Sequence, residues 1–120
     1  MAIQDWVKGT TPIDGTMIIW AEGTAQDLCQ GNKPLTSSTI RRFFGEMRRI
    51  QSSFNLSDAH MLQAKLAYDA GRKDGKVKEF YRKLTPGIQA ITDKDSFDRF
   101  VKIAEAIVSF HKLHYTGRDD

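Results

Sequence analysis

The sequence predicts an all-α protein, a single domain over residues 1–120 with about five helices. Apolar residues recur at steps of three and four along most of the chain, and no useful stretch alternates as a half-buried strand does. A length of 120 residues is typical of one domain. The composition, with 40% hydrophobic and 28% charged residues, excludes disordered, collagen-like and disulfide-scaffold classes.

The first two predicted helices are bounded by prolines and hydroxyl residues. The first begins at Pro12, with Asp14 close behind, and ends near the Gly31–Asn32 pair. The second begins at residues 36–38, where several hydroxyl groups can cap a helix. Its apolar side chains fall on one face: Ile40, Phe43, Phe44, Met47, Ile50 and Phe54.

The third and fourth predicted helices are separated by a polar break. The third begins at Ser57 or Asp58 and ends at residues 71–75, which carry two glycines. The fourth covers residues 76–92. Its Pro86 predicts a kink or a split, because proline removes a backbone donor and its ring clashes with the preceding turn.

The last predicted helix is the longest and the most apolar. Asp93 or Asp95 caps it, and its stripe consists of Phe97, Phe100, Val101, Ala104, Ile107, Val108 and His111. A helix that is apolar over so much of its circumference predicts the central element of a bundle. Residues 1–11 and 116–120 are predicted to be loose ends.

The charge is concentrated in the middle of the chain. The net charge is +3, but residues 33–83 hold 12 basic and 5 acidic residues, a balance of +7. The remaining residues carry a balance of −4. This asymmetry favours a polyanionic partner such as nucleic acid.

The second predicted helix carries most of this charge. Arg41 and Arg48 lie on one flank of its apolar face, and Arg42 and Arg49 lie on the far side. Arginine is a planar, permanently charged donor that suits phosphate oxygens. Gly45, which lowers helix propensity, would let a ribose or a backbone approach closely. The alternative interpretation is a solvated helix whose arginines pair with acids on neighbouring helices.

Further basic residues follow on the next helix, where Lys65, Arg72 and Lys73 extend the charge. Phenylalanines such as Phe43 and Phe97 fall on apolar faces and do not alternate with basic residues, as they would in a stacking platform for single strands. Contact with nucleic acid is therefore expected to involve mainly its backbone.

The sequence predicts no catalytic residue, no metal site and no cofactor. His111 and His114 have a spacing that could hold a metal, but no carboxylate completes a site, and His111 is expected to be a hydrogen-bonded core histidine. Cys29 lacks a local base. The longest apolar stretch, residues 17–20, is far shorter than the ~20 residues of a membrane span. We expect no membrane association and a cytoplasmic location.

Three segments together resemble the small helical subunit of the type III-A CRISPR Csm effector complex. They are LTSSTIRRFFGEMRRIQ at residues 35–51, AKLAYDAGR at 64–72 and FDRFVKIAEAIVSFHKLH at 97–114. In the second segment Ala64 stands where the family pattern has proline, which should leave that helix more continuous. Elsewhere the agreement is only in helical character.

The resemblance implies a non-catalytic, RNA-binding subunit that acts in antiviral defence. Copies of it would stack as an inner filament beside other Csm complex subunits, and a basic surface would contact the target RNA and guide RNA duplex. Transferred by position, the implied RNA-binding residues are Arg41, Arg48, Arg49, Lys65 and Arg72. Arg42 is expected to serve a contact between subunits instead.

Three alternatives remain open from the residues alone. The second and third helices could form a helix-turn-helix-like DNA-binding regulator, although the basic helix comes first and not second. The basic middle could instead dock on acidic proteins, as a helical protein-interaction module does. A metal-dependent hydrolase that uses His111 and His114 is the third alternative.

Overall fold

The computed structural model describes residues 2–117, which fold into six α-helices without a strand. In chain order the helices are α1 (Ile3–Lys8), α2 (Gly15–Leu28), α3 (Ser37–Ser52), α4 (Leu56–Arg72), α5 (Lys76–Gln89) and α6 (Lys94–His114). The all-α prediction of about five helices is confirmed, with one additional short helix. Of the C-terminal segment predicted to be loose, residues 118–120 lie outside the described residues.

Helix α6 is the central element, as its wide apolar stripe predicts. It packs against α1, α2, α3 and α5, while α4 packs against α3 and α5. Its core-facing side chains include Phe97, Phe100, Ile103 and Ile107, all fully buried. The core of the bundle is therefore built around α6.

The prediction that residues 1–11 are loose is wrong, because α1 is anchored in the core. Trp6 is 1% exposed, and its ring centroid lies 5.4 Å from that of Trp20. Arg99 Nε on α6 donates to the Val7 carbonyl at 2.8 Å, and Gly9 ends the helix with a φ of 83°. A helix this short is marginal by itself, so its stability comes from these tertiary contacts.

Short polar side chains cap the N-termini of α2, α3, α4 and α6. Thr36 caps α3 and Asp93 caps α6, both at positions where a cap was expected, while Asp14 caps α2, which begins at Gly15, three residues after the expected start at Pro12. Helix α4 differs from its prediction, since Asn55 is the cap and its Oδ1 accepts from the Asp58 backbone N–H at 3.1 Å. The helix consequently begins earlier, at Leu56.

Helix α5 continues through Pro86, so of the predicted kink or split, the split is wrong. The helix ends at Gln89, shortly after the proline and earlier than expected, so the missing donor affects only its last turns. Gly87 is buried there, and a Cβ at that position would lie 2.9 Å from Ile3 Cδ1. The absence of a side chain at residue 87 thus makes room for α1.

Candidate nucleic-acid interface

Helix α3 lies between α4 and α6 and exposes one strongly basic side. Its inner side buries apolar residues such as Met47 and Ile50. We call the opposite side the arginine face; it consists of Arg41, Arg42, Gly45, Arg48 and Arg49, all exposed. Nothing lies within 4 Å of where a Gly45 Cβ would be, so this position is open to solvent.

A shared carboxylate joins the arginine face to α4. Glu46 Oε1 pairs with Arg49 Nη2 and with Lys65 Nζ, each at 2.5 Å. Hydrogen bonds from these two cations lower the pKa of Glu46 to about 2. The carboxylate therefore remains charged at neutral pH and holds cations from two helices side by side.

Asp69 is a second shared carboxylate at the boundary between α3 and α4. Its Oδ2 lies 3.6 Å from Arg42 Nη2 and its Oδ1 lies 3.7 Å from Arg72 Nη2. Between the two shared carboxylates lies an open groove of about 290 Å³, here called the α3–α4 groove. Its lining consists of Arg42, Phe43, Glu46, Leu62, Lys65, Leu66, Tyr68 and Asp69.

The other flank of the arginine face meets α6. Arg48 Nη2 lies 3.2 Å from Glu105 Oε2, and its Nη1 donates to Gln51 Oε1 at 3.1 Å. The guanidinium also lies over the Phe44 ring, 5.0 Å from its centroid. Arg41 lines a small hollow on this flank together with residues of α6.

The structure thus divides the five predicted RNA-binding residues between two flanks of one helix. Arg49, Lys65 and Arg72 lie on the α4 flank, and Arg41 and Arg48 lie toward α6. Arg42, which the sequence analysis expected to serve a contact between subunits, lies on the α4 flank and shares Asp69 with Arg72. These positions form a continuous surface and not a single pocket.

Two of the arginines pair with acids on neighbouring helices, as the alternative interpretation predicts. Arg42 pairs with Asp69 of α4, and Arg48 pairs with Glu105 of α6. Both guanidiniums remain about half exposed. Exposed pairs of this kind contribute little to stability, so a phosphate can replace the carboxylate at small cost.

Tyr68 is a site residue that reasoning from the sequence missed. It is 68% exposed on α4 and lines the α3–α4 groove. Its position could have been inferred from the helical spacing, because Leu62, Leu66 and Ala70 define the buried side of α4 and leave residue 68 outside. Of the phenylalanines on the predicted apolar faces, Phe43 and Phe97 are buried, and Phe44 and Phe54 are half-buried against the core.

We expect the stability contributed by Glu46 to depend on pH. Its folded-state pKa of about 2 lies below the ordinary 4.5, so the stabilisation is present above about pH 4.5 and is lost as the pH falls toward 2. Urea denaturation should show that Glu46→Gln lowers the free energy of unfolding by up to about 1 kcal/mol at pH 7. The effect is small because the partner cations are exposed. This difference in unfolding free energy between the variant and the parent should disappear near pH 2. A difference that is unchanged at that pH would contradict the ion pairing.

The histidines that could have formed a metal site are engaged elsewhere. His111 is 1% exposed, with Nε2 2.7 Å from the Leu35 carbonyl oxygen, which confirms the expected core histidine. His114 Nε2 lies 2.9 Å from Glu22 Oε2. Within residues 2–117 no group of three or more histidine, cysteine or acidic side chains could hold a metal ion. No helix in this part of the chain is long and apolar enough to cross a membrane.

The fold and its charges define a small all-α domain with a basic surface across two adjacent helices. The family model Csm2 Type III-A matches residues 16–117, from α2 to the end of the described chain. The chain belongs to this family and is a small subunit of the type III-A CRISPR Csm complex. The resemblance drawn from three sequence segments is thereby confirmed. Comparisons with curated proteins and with solved structures gave no match.

Proposed function

We propose that this Csm subunit binds RNA in the cytoplasm without catalysing a reaction, and contacts the target RNA and guide RNA duplex during antiviral defence. The arginine face carries this proposal. Four arginines point to solvent from one helix, and Lys65 and Arg72 of α4 extend the charge across the boundary. A surface of this kind suits the regular series of phosphates on a nucleic-acid backbone.

Binding would proceed by an exchange of the ion-pair partners of the arginines at this surface. RNA phosphates would take the place of Glu105 beside Arg48 and of Asp69 beside Arg42, where the exposed ion pairs are weak. Arginine can present two parallel donors to one phosphate. Gly45, at the centre of the face, would let the sugar–phosphate backbone approach the helix. Such contacts are independent of sequence, which guide pairing would supply.

Copies of the subunit would stack along one RNA and bind it together. One copy offers a few phosphate contacts and would bind weakly by itself. Several copies side by side on the same RNA raise the overall affinity, because each later contact is made at high local concentration. A head-to-tail interface that does not close produces a filament. Family membership supports the association with other Csm subunits, within which this inner filament would form.

Salt dependence tests the proposed function. Affinity for a labelled guide–target RNA duplex and for single-stranded RNA, measured by fluorescence anisotropy, should fall as salt rises. The expected slope of log affinity against log salt is about −0.7 for each phosphate neutralised on a single strand. A flat response would indicate a surface for protein partners only. Tighter binding to duplex DNA than to RNA of equal length would favour the helix-turn-helix alternative.

A further inference from the structure

Tyr68 differs from every other aromatic residue in the described chain. Among the phenylalanine, tryptophan and tyrosine side chains of residues 2–117 it is the one that is exposed, while the others are buried or half-buried. At 68% exposure, most of the surface of this residue is accessible to water. An aromatic ring placed there adds no core packing, so the position calls for another explanation.

The surroundings of Tyr68 are cationic. The Arg72 guanidinium lies over its ring, 5.6 Å from the centroid. Tyr68 also lines the α3–α4 groove together with Arg42 and Lys65. Together with Arg49 these cations outnumber the two carboxylates of the groove, Glu46 and Asp69. A partner that meets the ring must therefore also be compatible with positive charge.

We infer that Tyr68 stacks against an unpaired nucleobase of RNA while the cations around it hold the neighbouring phosphates. The inference rests on the proposed function and adds base contact to it. A planar, exposed ring offers a face to any base, and stacking on aromatic side chains is the usual way in which proteins hold unpaired bases. Bases inside a duplex have both faces covered by their neighbours and cannot use this ring. The surface thus serves single-stranded nucleotides as well as duplex backbone.

The charge balance favours RNA over a protein as the occupant. A protein partner at this ring would need an acidic surface to face the cations. RNA supplies a negative charge and an aromatic plane in every nucleotide, which matches the alternation of Tyr68 with Lys65 and Arg72 along one exposed strip of α4. Residues 65, 68 and 72 lie on successive turns of this strip.

Substitution of Tyr68 tests the inference on the full-length chain. Tyr68→Ala should lower affinity for a single-stranded oligoribonucleotide by roughly five- to a hundredfold, the range found for loss of one stacked base. Tyr68→Phe keeps the ring and should remain within about twofold of the parent. Leu113→Ala, which removes another well exposed apolar side chain on α6, serves as the matched control. Affinity for a fully paired RNA duplex should be the same for all four proteins.

The readouts separate stacking from other roles of the ring. An oligonucleotide of abasic ribose units should bind the parent and Tyr68→Ala equally, because no base is present to stack. An equal loss on duplex, on abasic strand and on normal strand would overturn the inference, as would a loss of self-association or Csm assembly with RNA affinity unchanged. If Tyr68→Ala binds single strands normally while reversal of arginine charges abolishes binding, the stacking role fails and the proposed function stands. If charge reversal has no effect, the proposed function fails.

Discussion

Reversing two charges on the arginine face, with Arg48→Glu and Arg49→Glu together, is expected to lower affinity for the guide–target duplex by at least about tenfold, or about 1.4 kcal/mol. The substitutions change the face by four units of charge and affect both of its flanks. They also place new carboxylates beside Glu46 and Glu105, which repel phosphate. Both side chains are exposed, so the helical circular-dichroism signal should be retained.

A matched control separates the effect of where the reversed charges lie from the effect of the change in net charge. Arg82→Glu with Lys83→Glu reverses two adjacent exposed cations on α5, outside the arginine face, and produces the same change in total charge. This variant should retain most of the RNA affinity. Equal losses in the two variants would mean that only overall charge matters. Unchanged RNA retention by an assembled complex that carries the α3 variant would refute the proposed surface.

Removing the anchor of α1, with Trp6→Ala, is expected to cost about 3–5 kcal/mol of unfolding free energy. Trp6 is 1% exposed and packs on Trp20, so alanine leaves a large cavity at the junction of α1 with the bundle. A loss of this size is a large share of the 5–15 kcal/mol typical of a domain. Thermal denaturation should show a melting temperature lower by roughly 10 °C or more.

Two further variants define the cause of that loss. Trp6→Phe keeps an aromatic ring and removes an indole Nε1 that is buried without a hydrogen-bond partner in the described chain, so it should cost less than alanine. Ile19→Ala alters an exposed side chain on α2 and should remain within about 0.5 kcal/mol of the parent. A melting temperature for Trp6→Ala equal to that of the parent would show that α1 adds nothing to stability.

The five longer helices could be predicted because their own sequences specify them. In α6 the apolar stripe is long enough to establish both the period and the central position, and Asp93 marks its start. Helix α1 has only six residues, too few to show a period, and depends on Arg99 from the far end of the chain. The predicted split at Pro86 was wrong because the sequence shows how a proline disturbs a helix but does not show where α5 ends. Pro86 lies near that end, so it disturbs only the last turns.

The arginines of the candidate site could be predicted from the sequence, but their ion-pair partners could not. Four arginines in one helix are visible in the sequence. Which carboxylate each one meets depends on how helices pack, so the sharing of Glu46 by Arg49 and Lys65 could not be derived from spacing alone.

The burial of α1 sets an order of events during synthesis. The side chain of Ile3 lies against Gly87 of α5, and the Val7 carbonyl is bonded by Arg99 of α6, so α1 cannot reach these neighbours until α5 and α6 have left the ribosome. Proteins emerge from the ribosome N-terminus first. Helix α1 is therefore fixed in place only after helices that follow it in the chain, and it stays without its full set of contacts until α6 has emerged.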